Sequence, residues 1–98
     1  MLHIINQSPL TGCTLDTCLN TATGGDILLI EDAVYAATKG NAAEAKLKAA
    51  AGKFKLHVLT PDLEARGLGD RMMDGVSGVD YAGFVELVAN NKNCQSWL

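Results

Sequence analysis

The fold of this chain is decided by residues 56–67, which read LHVLTPDLEARG. The first four residues form an apolar run that predicts a buried strand, and the rest predict a helix that starts directly after it. Thr60 suits the N-cap, Pro61 suits the first helical position and Gly67 suits the helix stop. Because a strand that runs into a helix is the repeating unit of α/β proteins, this stretch predicts the fold class.

The same alternation recurs on both sides of this stretch. Apolar runs predict further strands at 2–6, 27–30 and 76–79, and an edge strand at 93–98. Capping residues and glycines predict helices from Thr14, at 33–38, from Asn41 to Gly52, and after Asp80. We therefore predict one α/β domain over residues 1–98, with a small Rossmann-like, mostly parallel sheet that helices flank on both faces.

Two of these helices carry a helical repeat of apolar residues, which predicts their buried faces. The predicted buried face of the first helix consists of Leu15, Cys18, Leu19 and Ala22. The predicted buried face of the last helix consists of Tyr81, Phe84, Leu87 and Val88.

The composition is apolar for a small chain, since 48% of the 98 residues are hydrophobic and 19% are charged. A domain of this size has a modest core, so the apolar surplus predicts an interface with other subunits, and a well-packed monomer is the alternative. The net charge of −3 and the lack of a Lys/Arg cluster argue against direct nucleic-acid binding. No apolar run reaches the roughly 20 residues of a membrane span, and the N-terminus lacks the basic start of a signal peptide. We expect a cytoplasmic protein with reduced cysteines.

The cysteines and histidines are the candidate reactive groups. Cys18 lies on the apolar face of the first helix, where it is either a reactive thiol or a small buried hydrophobic side chain. Cys13 is predicted to be a loop thiol and Cys94 an exposed residue of the tail. His3 and His57 lie in apolar strands with no carboxylate nearby in sequence, which argues against a metal or general-base role. The spacings are not those of a zinc site and no glycine-rich phosphate loop follows a strand, so we predict neither metal nor cofactor.

Polar and aromatic residues at the ends of elements are candidates for ligand or subunit contacts. Glu31 and Asp32 follow the second strand, at the edge where α/β sheets bind ligands, and solvated loop carboxylates are the alternative. Asp62 and Arg66 have the spacing of an ion pair within one helix, and an interface role is the alternative. Trp97 is either an interface anchor or a side chain that packs on its own domain.

Several segments, taken in order, carry a family pattern. They are Met1-Leu2-His3 with Ser8-Pro9, residues 31–37 (EDAVYAA), 62–67 (DLEARG) and 79–85 (VDYAGFV), and the terminal Trp97. Together they resemble the DsrH/TusB type of the DsrEFH/TusBCD sulfur-relay family over almost the whole chain. One departure is Ala33, where the family pattern often has glycine.

The resemblance implies a Rossmann-like subunit of a cytoplasmic heterohexamer, with DsrE/TusD-like and DsrF/TusC-like partner subunits and a DsrC/TusE-like sulfur carrier. Such complexes pass sulfur as a cysteine persulfide, and the main persulfide cysteine is expected on the DsrE/TusD-like partner. Cys18 resembles the cysteine in the first helix of DsrH-type chains, which makes it the candidate for accepting a persulfide or contacting the carrier. Asp62 and Arg66 belong to the family pattern, and together with Trp97 they are the candidate interface residues.

We predict a subunit, at most weakly catalytic, of a complex that passes persulfide sulfur between carrier proteins in intracellular sulfur oxidation. This branch is favoured because the form that serves thiolation of the tRNA wobble uridine often lacks a cysteine at the position of Cys18. The thiolation branch, a purely structural scaffold subunit and an independent small-ligand-binding α/β domain are the alternatives.

Overall fold

The computed structural model describes residues 1–8, 14–22, 24–40 and 43–97. One five-stranded sheet consists of Leu2–Ile5 (β1), Gly25–Leu29 (β2), Phe54–Leu59 (β3), Val76–Val79 (β4) and Cys94–Trp97 (β5). The connecting helices are Thr14–Thr21 (α1), Glu44–Ala50 (α2), Thr60–Ala65 (α3) and Tyr81–Asn90 (α4), with a 3₁₀ helix at Glu31–Ala37. No helix in these four stretches is long and apolar enough to cross a membrane.

All neighbouring strands pair in parallel, in the order β4-β3-β2-β1-β5. The chain therefore advances strand by strand from β1 to β4, and α4 then carries it back across the sheet to β5, beside β1. This confirms the predicted α/β class with its parallel sheet, including the edge strand at the C-terminal end.

The sheet buries apolar side chains on both of its faces. On one face Ile5, Ile27 and Val58 belong to the main core, which α1, α2, α3 and the 3₁₀ helix cover. On the opposite face Leu2 and Leu28 are fully buried as well. Burial on both faces explains the uninterrupted apolar run at 27–30, most of which belongs to β2, as is typical of the central strands of parallel sheets.

The opposite face is covered by α4. Asp26 pairs with Leu2 across the β1–β2 ladder, so both side chains lie on this face, and Asn91 at the end of α4 donates to the Asp26 carboxylate. As predicted, Asp80 caps the helix, because its Oδ1 accepts the backbone N–H of Gly83 at 2.8 Å.

The predicted buried face of α4 is wrong in part. Phe84 and Leu87 are half-buried, whereas Tyr81 is 62% exposed and Val88 is 41% exposed. A single helix lies over this face, so only the residues on its underside reach the sheet, and none of its residues is buried. Val85, at 68% exposure, also points away from the sheet.

The start of α3 also differs from the prediction. Leu59, not Thr60, occupies the N-cap, and no side chain makes a capping hydrogen bond there. The Thr60 hydroxyl instead donates to the backbone oxygen of Val79 at 3.1 Å, which ties α3 to β4. Gly67 has a φ of 69°, the left-handed conformation of a helix stop, and confirms that part of the prediction.

Some sequence predictions fall outside the described residues. They are the loop thiol Cys13 and the cap at Asn41. The capping role predicted for Thr14 concerns a side chain that is likewise outside the description.

Candidate functional site

The carboxyl ends of β2 and β3 bring together four of the residues singled out from the sequence. Glu31 and Asp32 follow β2, and Asp62 and Arg66 belong to the first turn and the C-cap of α3, which follows β3. We call these four residues the carboxyl-edge cluster. This edge is where parallel α/β sheets place their ligand and partner contacts.

Within the cluster, Asp62 fixes the chain where it leaves β2. Its Oδ2 accepts the backbone N–H of Glu31 at 2.7 Å, across 31 residues of sequence. Glu31 has a φ of 51°, which is an unfavourable conformation for a residue with a side chain. Such a conformation is retained only where the surroundings enforce it, and it concentrates at functional positions.

Arg66 links α3 to the residues that follow β2. Its Nε and Nη2 both donate to Asp32 Oδ1, at 3.2 and 3.0 Å, and its Nη1 donates to the backbone oxygen of Asp62 at 3.2 Å. The predicted ion pair between the side chains of Asp62 and Arg66 is therefore wrong. The Asp62 carboxylate is engaged by the Glu31 amide, which leaves the guanidinium free to reach Asp32.

The chemistry of the cluster is that of a contact surface. It contains two exposed carboxylates, Glu31 and Asp32, and a guanidinium held in a fixed orientation, and it has no cysteine, serine or histidine. The Asp32 side chain is 64% exposed, so the ion pair itself adds little stability, at most about 1 kcal/mol. Among the described residues, no group of three or more His, Cys, Asp or Glu could hold a metal ion.

Cys18 lies on the core side of α1, away from the carboxyl-edge cluster. Its side chain is fully buried in the main core, together with Leu15 and Ile27. Burial raises the pKa of the Cys18 thiol to about 11. Because the thiolate is the nucleophile, this raised pKa keeps Cys18 in the unreactive thiol form at neutral pH. In this conformation Cys18 packs as a small hydrophobic side chain, while Cys94 on β5 is exposed.

Trp97 anchors the edge strand β5 to its own domain. The indole Nε1–H donates to His3 Nδ1 at 3.1 Å, and the His3 ring meets Phe54 edge-on, with centroids 6.2 Å apart. Burial lowers the pKa of His3, helped by the charge of the N-terminus and opposed by a backbone hydrogen bond with Gly24. The imidazole is thus kept neutral, the state that can accept from Trp97. Of the two interpretations of Trp97, packing on its own domain is therefore observed.

A polar group beneath α4 was missed by sequence reasoning. His57 Nε2 lies 3.1 Å from Asp26 Oδ1, and Asn91 Nδ2 donates to Asp26 Oδ2 at 3.2 Å. No carboxylate lies near His57 in the sequence, as the sequence analysis noted, but the fold supplies one, Asp26, from the neighbouring strand β2. The register of β2 against β3 is what brings them together, and only a strand alignment could have indicated it.

Similarity to known proteins extends over nearly the whole chain. A sequence model of the family described as "DsrH like protein" matches residues 7–94. A protein named TusB from Erwinia tasmaniensis is 40% identical over 99 residues, covering 99% of this chain and 100% of the relative. The TusB proteins of Pectobacterium parmentieri and of an Escherichia coli O81 strain are 38% and 32% identical, again over 99% of this chain and 100% of each relative.

Two solved structures share the fold. The ychN protein of E. coli superimposes with a TM-score of 0.82 at 15% identity, covering 97% of both chains. A protein of unknown function from Methanobacterium thermoautotrophicum has a TM-score of 0.75 at 13% identity, covering 97% of this chain and 95% of its own. At these identities the likeness extends to the fold alone.

Proposed function

This chain belongs to the DsrH/TusB family, and on that premise we propose that it is a subunit of a sulfur-relay complex, which passes persulfide sulfur between carrier proteins. Its partners are DsrE/TusD-like and DsrF/TusC-like subunits and a DsrC/TusE-like sulfur carrier, in the cytoplasm. The observation that carries the proposal is similarity over whole chains, since 99% of this chain aligns with 100% of relatives named TusB.

Within the family we propose the branch that thiolates the wobble uridine of tRNA. The relatives cited above are TusB proteins, which favours this branch over the sulfur-oxidation branch predicted from the sequence. Sulfur oxidation is the second candidate, and the presence of Cys18 is the observation in its favour.

The role within the complex is structural: the chain shapes a docking surface, and the sulfur-bearing cysteine belongs to a partner subunit. The burial of Cys18 and its raised pKa support this assignment, because a protonated thiol inside the core neither attacks nor accepts sulfur. The alternative role of Cys18, as a persulfide acceptor or carrier contact, requires α1 to move so that the thiol becomes exposed.

We propose that Asp62 and Arg66 shape the subunit or carrier contact at the carboxyl edge. Asp62 holds the Glu31 backbone and Arg66 holds Asp32, so both residues act by fixing an exposed surface. Trp97 supports a second contact along the free edge of β5, whose residues Cys94, Gln95 and Ser96 are exposed.

The branch is tested by deleting the gene in its source organism and measuring 2-thiouridine in hydrolysed tRNA by mass spectrometry. Loss of the thiolated nucleoside, restored by the wild-type chain, is the expected result. Unchanged thiolation together with slower oxidation of stored sulfur would reverse the choice of branch.

The structural role is tested in the same strain with Cys18→Ala, with Cys94→Ala as the matched exposed control. We expect both variants to restore thiolation and to assemble with the partner subunits in native mass spectrometry. If Cys18→Ala assembles normally but fails to restore thiolation, Cys18 carries sulfur and the structural role is wrong.

A further inference from the structure

The outward side of α4 is an apolar surface that the described residues leave uncovered. At 3.6 residues per turn, Ala82, Val85 and Ala89 fall within roughly 60° of one another on this side. All three are exposed, Val85 at 68%. Glu86 borders this stripe and is the only charged residue of α4. We call this surface the α4 stripe.

The opposite face of the molecule carries a groove between α1 and α2, with a volume of about 600 Å³. Its apolar lining comes from Leu19 of α1, Ala49 and Ala50 of α2, and Phe54 at the start of β3. We call it the α1–α2 groove. Its volume falls in the range of about 300–1,000 Å³ that protein binding pockets occupy.

The rim of the groove is basic. Lys46 and Asp16, which both line the groove, form an ion pair at 2.7 Å, so their charges offset each other. Lys53 lies over the Phe54 ring, with its Nζ 5.3 Å from the ring centroid, and it makes no ion pair within the described stretches of the chain. One lysine is therefore available to an acidic partner.

The two surfaces are both apolar and carry opposite charges at their borders. The small side chains of the α4 stripe suit the apolar lining of Leu19, Ala49 and Phe54, and Glu86 beside the stripe is opposite in charge to Lys53, which has no ion pair among the described residues. We propose that the α4 stripe of one copy of this chain docks into the α1–α2 groove of a second copy.

A twofold pairing of α4 with α4 fits less well. In an antiparallel pair of identical helices, the same flank of each helix meets its counterpart, so Glu86 would face Glu86 of the second copy. Like charges in such positions destabilise the contact. Docking of the stripe into the groove replaces this repulsion by attraction to Lys53.

The stripe and the groove lie on opposite faces of the sheet, so the contact is head-to-tail rather than twofold, and copies stack front to back. The ten residues of α4 form a helix about 15 Å long, so the buried area lies below the roughly 800 Å² per partner of a standard interface. Association of the isolated chain is therefore expected at high protein concentration. This inference is independent of the sulfur-relay proposal.

Sedimentation velocity of the purified chain, between about 10 µM and 1 mM, tests it. Val85→Asp blocks the stripe and Ala49→Glu blocks the groove, and both positions are exposed, so the fold tolerates them. We expect the wild type to form dimers and larger species and each variant alone to stay monomeric. An equimolar mixture of the two variants is expected to form a 1:1 dimer and nothing larger, because it retains one intact stripe and one intact groove.

Charge reversal gives a second, milder test. Glu86→Lys or Lys53→Glu alone weakens association by roughly three- to tenfold, and the two changes in one chain restore it. Ala65→Glu, at an exposed position of α3, is the matched control and leaves association unchanged.

The proposal is overturned if the wild type remains monomeric at 1 mM. It is also overturned if Ala49→Glu associates like the wild type while Val85→Asp does not, which is the result of α4–α4 pairing. A mixture of the two blocked variants that stays monomeric, when the wild type associates, likewise contradicts it.

Discussion

Asp26 is the residue whose replacement tests the arrangement beneath α4 most directly. Its carboxylate joins three elements: it belongs to β2, it bonds His57 of β3 through Oδ1, and it accepts from Asn91 at the end of α4 through Oδ2. Its side chain is only 20% exposed. If Asp26 is removed, no other hydrogen bond holds the His57 ring, because its buried Nδ1 lacks a hydrogen-bond partner in the described structure.

Asp26→Ala removes both hydrogen bonds and leaves two polar groups without their partner. A hydrogen bond to a charged group contributes about 1.5–3 kcal/mol, and partial exposure lets water replace some of it, so we expect a loss of about 2 kcal/mol. For a domain of this size that loss lowers Tm by roughly 8–16 °C. Hydrogen exchange in the last turn of α4 should accelerate as well, because Asn91 no longer holds it.

The effect of Asp26→Ala depends on pH in a defined direction. Burial alone would raise the pKa of Asp26, but hydrogen bonds from His57 and Asn91, with the charges of His57 and Lys55, hold that pKa below its usual value. A carboxyl with a lowered folded-state pKa contributes stability above its unfolded pKa, about 3.9, and loses it as the pH falls through the folded-state pKa. The stability gap between wild type and variant should therefore narrow as the pH falls below about 4.

Urea unfolding of both proteins between pH 3 and pH 7 measures this gap, and titrating groups that do not interact with Asp26 cancel in the difference. Asp16→Ala is the control, because it removes an exposed ion pair with Lys46 and should cost less than about 0.5 kcal/mol. A cost at Asp26 no larger than at Asp16, or a gap at pH 3 as large as the gap at pH 7, would refute the reasoning.

Three further changes test other parts of the fold by thermal unfolding. Glu31→Gly should stabilise the chain by about 0.5–1 kcal/mol, because glycine adopts the positive φ without strain. The hydrogen bond from the backbone N–H of residue 31 to the Asp62 carboxylate is retained. Gly25→Ala should destabilise it by about 2 kcal/mol or more, since φ is 111° and the new methyl group would clash with the carbonyl oxygen of the first residue. Trp97→Phe should cost about 1 kcal/mol through loss of the hydrogen bond to His3, and it should speed hydrogen exchange in β5.

Each of the three has a matched control. Asp32→Gly lies next to Glu31 but lacks a positive φ, so it should destabilise where Glu31→Gly stabilises. Gly40→Ala has a φ of 82° but open space around the added methyl group, so its cost should be about 1 kcal/mol, below that of Gly25→Ala. Ser96→Ala, exposed on β5, should leave the exchange of that strand unchanged. The opposite order in any pair would contradict the geometry assigned to that position.

The parts of the fold that the sequence predicted are those whose signals are local. The apolar run before Thr60, the capping carboxylate of Asp80 and the stop at Gly67 each act on residues within one turn or one strand. Their order alone indicated a parallel sheet, because parallel strands need a crossover between them.

The parts that were missed depend on contacts between distant residues. Asp26 and His57 are 31 residues apart, and Asp32 and Arg66 are 34 apart, so neither pair has a signature in a short window of sequence. The pairing of Asp62 with Arg66 was wrong for the same reason, because a distant backbone amide competed for the Asp62 carboxylate. Helix spacing indicates which side chains can form a pair, but residues from other elements determine which pairs form.

The buried face predicted for α4 was wrong in part for a different reason. Apolar residues cover more than half of the circumference of this helix: Phe84 and Leu87 are half-buried, while Tyr81, Val85 and Val88 are exposed. Periodicity identifies a buried face only when the other face is polar, so here it could not distinguish the two sides. The apolar stripe of a helix normally packs against another element. Because only its underside meets the sheet within one copy of the chain, the burial that its sequence encodes is completed only when another surface covers the α4 stripe.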